Sequence, residues 1–88
     1  MNFRTLERMV KGFANHRRIQ ILALLQKTPE LSVDEIATTL NVNFKTISEH
    51  IRRLAIAGLV LKRNAGNEVR HKLTGRAESI LKFLRILE

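Results

Sequence analysis

Within NVNFKTISEHIRRLAIAGLV, residues 41–60, the polar residues Lys45, Thr46, Ser48, Glu49, Arg52 and Arg53 alternate with Ile47, Ile51 and Leu54 at three- and four-residue intervals. Residues so spaced share a helix face, so the pattern predicts a helix from Asn43 to Ala57 with one apolar stripe and one polar face. That face carries guanidinium, ammonium and hydroxyl donors, and its chemistry is the non-covalent recognition of oxygen acceptors. An arginine fork matches a phosphate or the O6/N7 edge of guanine, and a hydroxyl matches a phosphate oxygen. A plain solvated face laced by pairs such as Glu49 to Arg53 has the same composition, so the surroundings decide between the two.

Other chemistries find less support. There is no Cys, which excludes disulfides, thiolate metal sites and thiol redox sensing. With three Ser and no motif that sets a base beside a nucleophile, no enzymatic activity is expected. His16, His50 and His71 fall in different predicted elements, without i, i+4 spacing or a carboxylate pair, so neither a metal nor another cofactor is expected unless the fold or a dimer gathers them. His50 borders the apolar stripe and reads as a partly buried structural histidine.

The charge balance favours a polyanionic partner. Sixteen Lys and Arg against eight Asp and Glu give +8, and residues 43–76 hold eight of those cations against Glu49 and Glu68. With 44% hydrophobic residues the chain can pack a core rather than remain a basic tail. Nucleic acid leads as partner, and an anionic membrane surface comes second. No apolar run is long enough for a membrane span or signal segment, and Met1 reads as a native start, so a cytoplasmic protein is expected. Eighty-eight residues make one domain that buries only about 60 to 65% of its unfolded surface, which makes homo-oligomerisation plausible.

The elements that must position the polar face follow from periodicity and caps. Phe3, Leu6, Met9, Val10 and Phe13 lie on one arc of a first helix, residues 3–13. Asn15 can cap a second, HRRIQILALLQK, with Ile19, Leu22 and Leu25 at core spacing, and TPE ends it. SVDE is a capping box that starts a third helix at Val33, in which Ser32 and Glu35 satisfy each other's main-chain N–H groups. Ala37 permits a close helix approach and Asn41 suits a left-handed turn, so residues 33–57 read as a helix-turn-helix. LVLKR, NAGN and EVRHKL then predict a hairpin over residues 59–73 with Gly66 in the turn. Thr74 caps a last helix, residues 75–87, whose apolar arc includes Ala77, Ile80, Leu81, Phe83, Leu84 and Leu87. The expected fold is mostly α with a small β-hairpin: a winged helix-turn-helix.

At this point the sequence resembles the ArsR-type winged-helix transcriptional regulators. The resemblance runs from about residue 13 to 74 and rests on Arg17 or Arg18, Ile21-Leu22, Val33-x-Glu35-Ile36-Ala37, Ser48-Glu49-His50-Ile51 and Ala57-Gly58-Leu59-Val60. LTGRAESIL is closer to the opening of the last helix in MarR-like and PadR-like proteins, with Ala77 in place of a Gly. Metal-sensing ArsR members carry cysteines before the recognition helix or His and acidic ligands along the last helix. Here Ser32, Val33 and Asp34 occupy the first region and only Glu78 and Glu88 are acids in the second, so the usual metal switch is not expected. His71 stands where the family has an aromatic residue in the wing.

Together these features and the resemblance imply a homodimeric, sequence-specific regulator of double-stranded DNA in the prokaryotic cytoplasm, associated with the nucleoid. Repression is expected over activation because the chain is short. In the recognition helix, Lys45 and Arg52 are assigned to base edges, Thr46, Ser48 and Arg53 to phosphate, with Asn43 and Glu49 on the same surface. Lys62, Arg63, Asn64, Asn67, Arg70 and Lys72 of the wing are expected on backbone or minor groove. Phe3, Leu6, Val10, Phe13, Ile80, Leu81, Phe83, Leu84 and Leu87 are expected at the dimer interface. Two alternatives stay open: a winged helix that binds an acidic protein partner, and a regulator with a small-molecule site between dimer helices, for which no polar constellation names the effector.

Overall fold

Each helix begins where a short polar side chain replaces a missing main-chain partner. In the computed structural model, which describes residues 1–88, the order is α1 (Phe3–Phe13), α2 (His16–Lys27), α3 (Val33–Leu40), α4 (Phe44–Ile56), β1 (Val60–Ala65), β2 (Glu68–Leu73) and α5 (Gly75–Leu87). Asn2, Asn15, Ser32, Asn43 and Thr74 cap the five helices. Such a cap contributes about 1 kcal/mol. The Ser32–Glu35 box closes both ways: Ser32 Oγ accepts from the Glu35 N–H at 3.2 Å, and the Ser32 N–H donates to Glu35 Oε1 at 2.9 Å. α3 stops at Asn41, which is left-handed (φ 54°, ψ 49°). The N–H groups of Asn41 and Val42 fold back onto the carbonyls of Thr38 and Ala37, at 3.2 and 3.0 Å.

α2 is the central helix. Its Ile21, Leu22 and Leu25 meet Ile36 of α3, the Ile47, Ile51 and Leu54 stripe of α4, Leu59 and Val60, and Ala77, Ile80 and Leu81 of α5 in one core. Two expectations are corrected by this packing. Ile21 rather than Ile19 takes the fully buried place, because α2 is covered by α4 on one side and by β2 and α5 on others, so its buried arc is broad. Ile80 and Leu81, assigned to a dimer interface, instead complete the chain's own core, since α5 lays that edge against α2 and β2. Phe13 and Leu84 are partly buried against the same core. Phe3, Val10, Phe83 and Leu87 remain exposed, Leu6 is half-buried, and α1 buries no residue fully.

α1 crosses the end of α4 at Gly12, where a Cβ would collide with the Cβ of Ala57. The hairpin pairs Val60 with Leu73 through Ala65 with Glu68, so Asn64 and Ala65 belong to the strand and Gly66-Asn67 is a two-residue turn. Gly66 alone has positive φ there (65°), the type II′ pattern. The wing is also tied along its second edge. Leu31 bridges His71: the Glu30 N–H donates to the His71 carbonyl at 2.9 Å, and the His71 N–H donates to the Leu31 carbonyl at 3.0 Å. The α2–α3 connection is thus pinned to the edge of β2 by one isolated bridge.

Candidate nucleic-acid interface

With Ile47, Ile51 and Leu54 turned into the core, α4 must present Lys45, Thr46, Ser48, Glu49, Arg52 and Arg53 to solvent, and all six are exposed. Asn43 uses its Oδ1 to cap the helix, accepting from the N–H groups of Lys45 (2.8 Å) and Thr46 (3.4 Å), so only its amide nitrogen is left to reach outward. Glu49 is the hub of the face. Its carboxylate receives Arg52 in a two-point fork, Nε to Oε2 at 3.0 Å and Nη2 to Oε1 at 2.8 Å, and Arg53 Nε reaches Oε1 at 3.1 Å. The Arg52 and then the Arg53 hydrogen bonds pull the Glu49 carboxyl down to about 2. Lys45, one turn earlier, has no ion pair.

The wing repeats this arrangement. Arg63 and Arg70 face each other across the strands, a placement that repels unless it is neutralised. Glu30 Oε1 accepts from Arg63 Nε and Nη2, both at 2.9 Å, while Arg70 donates to Glu68 Oε2 at 2.8 Å and to the Glu30 carbonyl at 3.2 Å. Lys62 and Lys72 carry no ion pair. Asn67 forms the exposed turn and Asn64 lies exposed opposite Val69. Recognition helix and wing stand together: Phe44, the first residue of α4, shares a groove with Asn67, Glu68 and Val69 of the wing and with Ser32, Val33 and Asp34.

Glu30 escaped the sequence reading, which saw only a helix end in TPE. Its backbone is left-handed (φ 69°), an unfavourable region for a residue with a Cβ, and its Oε2 is buried without a hydrogen-bond partner. The strain persists because four bonds to the wing fix the residue. No local signal marks it, since its partners Arg63, Arg70 and His71 lie far downstream in the wing.

The histidines do not converge, and no three His, Asp or Glu side chains form a group able to hold a metal ion. His50 is half-buried, and its Nδ1 accepts from Arg18 Nε at 3.1 Å. Burial, then Arg18 and Arg17, push its imidazole below the ordinary value, so it is neutral at pH 7. Arg18 also donates to the Gly12 carbonyl at 3.2 Å, a cation at the end of α1 where the helix dipole favours one. His71 is 1% exposed and its Nδ1 lies 2.7 Å from the Leu31 carbonyl, so the ring donates there.

The model of the bacterial regulatory protein, arsR family, matches residues 15–62, from the cap of α2 into β1 and across the whole helix-turn-helix. This chain belongs to the arsR family. Among its relatives, the HTH-type transcriptional regulator Rv0324 of Mycobacterium tuberculosis is 38% identical over 68 residues, 77% of this chain and 30% of that protein. The transcriptional activator HlyU of Vibrio cholerae is 36% identical over 66 residues, 75% of this chain and 60% of that one. The chain therefore spans less than two thirds of the length of these curated relatives. A solved structure of the homodimeric winged helix-turn-helix DNA-binding domain Mb0332 from Mycobacterium bovis superposes with a TM-score of 0.88 at 30% identity, covering 97% of this chain and 79% of that one. The arsR match starts after α1 and ends before α5, so the exposed Phe3 and Val10 of α1 and Phe83, Ile86 and Leu87 of α5 lie outside it.

Proposed function

We propose that this arsR-family chain is a homodimeric, sequence-specific double-stranded-DNA-binding regulator that represses by occupying its operator. The observation that carries the reading is the concentration of cations on α4 and the adjoining wing. Seven cations, Lys45, Arg52, Arg53, Lys62, Arg63, Arg70 and Lys72, are displayed on these two adjoining elements against Glu49, Glu68 and Glu30. α4 enters the major groove with Lys45 and Arg52 at base edges and Thr46, Ser48 and Arg53 at phosphate, while the wing holds backbone beside it. Dimerisation uses the exposed faces of α1 and α5, Phe3, Leu6, Val10, Phe83 and Leu87 with the outer parts of Phe13 and Leu84. The absence of Cys from the sequence supports a regulator without the thiolate form of the arsR metal switch.

The test separates specificity from affinity. Arg52→Ala should weaken binding to a duplex selected from a random pool about 5- to 150-fold and relax one position in each half-site, the effect of losing a bidentate guanine contact. Arg63→Ala should weaken selected and scrambled duplexes alike and flatten the dependence of log affinity on log salt by about 0.9. Zinc should leave both affinities unchanged. Equal losses on both duplexes for Arg52→Ala would make α4 a phosphate clamp rather than a reader. The sign of regulation is tested with a reporter: repression predicts higher expression when the protein is removed, and the Vibrio relative's name as an activator makes the opposite result the informative one.

A further inference from the structure

We propose that Glu49 is a specificity-determining residue, a carboxylate latch that holds Arg52 and Arg53 in the free protein and releases them only on a half-site that presents a cytosine to it. The inference rests on the DNA-binding reading above and goes beyond it by naming what the face selects against.

The geometry has three parts. Glu49 occupies the middle of the exposed face of α4, with Lys45 one turn before it and Arg52 and Arg53 one turn after. Both carboxylate oxygens are engaged, at 2.8, 3.0 and 3.1 Å, so the guanidinium fork suited to guanine or phosphate is occupied before DNA arrives. The side chains are about half exposed, 49% for Glu49 and 53% for Arg52, so the pair is reached by a partner without unfolding and is weak enough in water to exchange.

On duplex DNA the exchange has a consequence. Once Arg52 and Arg53 turn to the nucleic acid, the Glu49 carboxylate is left facing phosphates in a groove with less water. It is stabilised there only if a base edge supplies a donor. Cytosine presents the N4 amino group alone in the major groove, whereas adenine sets N7, an acceptor, beside N6, and guanine and thymine present acceptors. Cytosine therefore fits a carboxylate, and the other three bases oppose lone pairs to it. On a random duplex the latch stays shut, two arginines are withheld from phosphate, and non-specific binding is carried by Lys45 and the wing cations, Arg63 among them.

Glu49→Gln tests this, because it keeps shape and removes the charge. Selection from a random pool should enrich cytosine at one position per half-site with the wild type. The variant should lose that preference and favour adenine, which an amide contacts bidentately. On a scrambled duplex, Glu49→Gln should bind about tenfold tighter, with a salt slope steeper by about 0.9 for each arginine released. An unchanged selected sequence, or an unchanged scrambled-duplex affinity and slope, would overturn the latch while leaving wild-type DNA binding intact. A wild type that binds no duplex in a salt-dependent way would overturn both this inference and the reading beneath it.

Discussion

At the scale of single residues, the proposed interface is organised by three carboxylates rather than by its cations. Glu49 holds Arg52 and Arg53, Glu30 holds Arg63 and Glu68 holds Arg70, while Lys45, Lys62 and Lys72 are left unpaired. Beneath the wing, His71 is buried as a neutral ring whose Nδ1–H serves the Leu31 carbonyl. Burial pushes its imidazole below the ordinary value of 6.5. Near and below 6.5 the unfolded chain takes up a proton that the folded chain refuses, so the stability this group contributes is complete above that pH and is lost on acidification. His50 has the same sign, with Arg18 and Arg17 adding to burial. The expected outcome is a melting temperature that falls as pH drops from 7.5 toward 5. His71→Phe should flatten that fall and change little at pH 8, because the Leu31 carbonyl keeps the main-chain N–H of residue 71. An equally steep fall in the variant would place the proton-linked group elsewhere.

At the scale of elements, the orientation of α1 depends on one missing side chain. Gly12 lets α1 rest directly on Ala57, and Gly12→Ala would set two Cβ atoms in the same space. Overpacking of this kind costs about 1 to 3 kcal/mol. The loss should appear as a lower denaturation midpoint, and adding Ala57→Gly should recover part of it, since residues in contact couple in a double-mutant cycle. Additive losses would show that the two helices can move apart freely. The same element scale explains what could be read without coordinates. Ser32 with Glu35, Asn15, Asn41 and Thr74 declared their helix ends because each satisfies main-chain groups within four residues. The polar face of α4 was equally plain from spacing. What could not be read is non-local: Arg18 on His50, Arg63 on Glu30 and Gln26 on Glu78 join positions 32 to 52 residues apart. The share of the apolar arc of α5 taken by the chain's own core, Ile80 and Leu81, depends on where α2 lies, which periodicity does not contain.

At the scale of the whole molecule, apolar and charged surfaces make opposite demands. Phe3 is 77% and Ile86 74% exposed, on helices that otherwise have little to cover them, and Leu87 and Phe83 extend the α5 patch. An isologous pairing of α1 and α5 would cover these residues and place two recognition helices for half-sites about 34 Å apart, or more if the wings splay them. Each copy, however, brings a charge of +8 to the pair. Repulsion between exposed like charges is screened within about 10 Å at 0.1 M salt, whereas apolar burial does not weaken with salt. Dimerisation should therefore strengthen as salt rises while operator binding weakens, so the two equilibria separate in one titration series. Sedimentation of the 10.1 kDa chain between 0.05 and 0.5 M salt should show the dimer fraction rising, and Phe83→Glu with Leu87→Glu should hold the chain as a folded monomer that binds a single half-site but not a paired operator. A wild-type monomer at high micromolar concentration across that range would overturn the two-fold arrangement. A dimer that dissociates as salt rises would instead show that ion pairs, not the apolar faces of α1 and α5, hold the copies together.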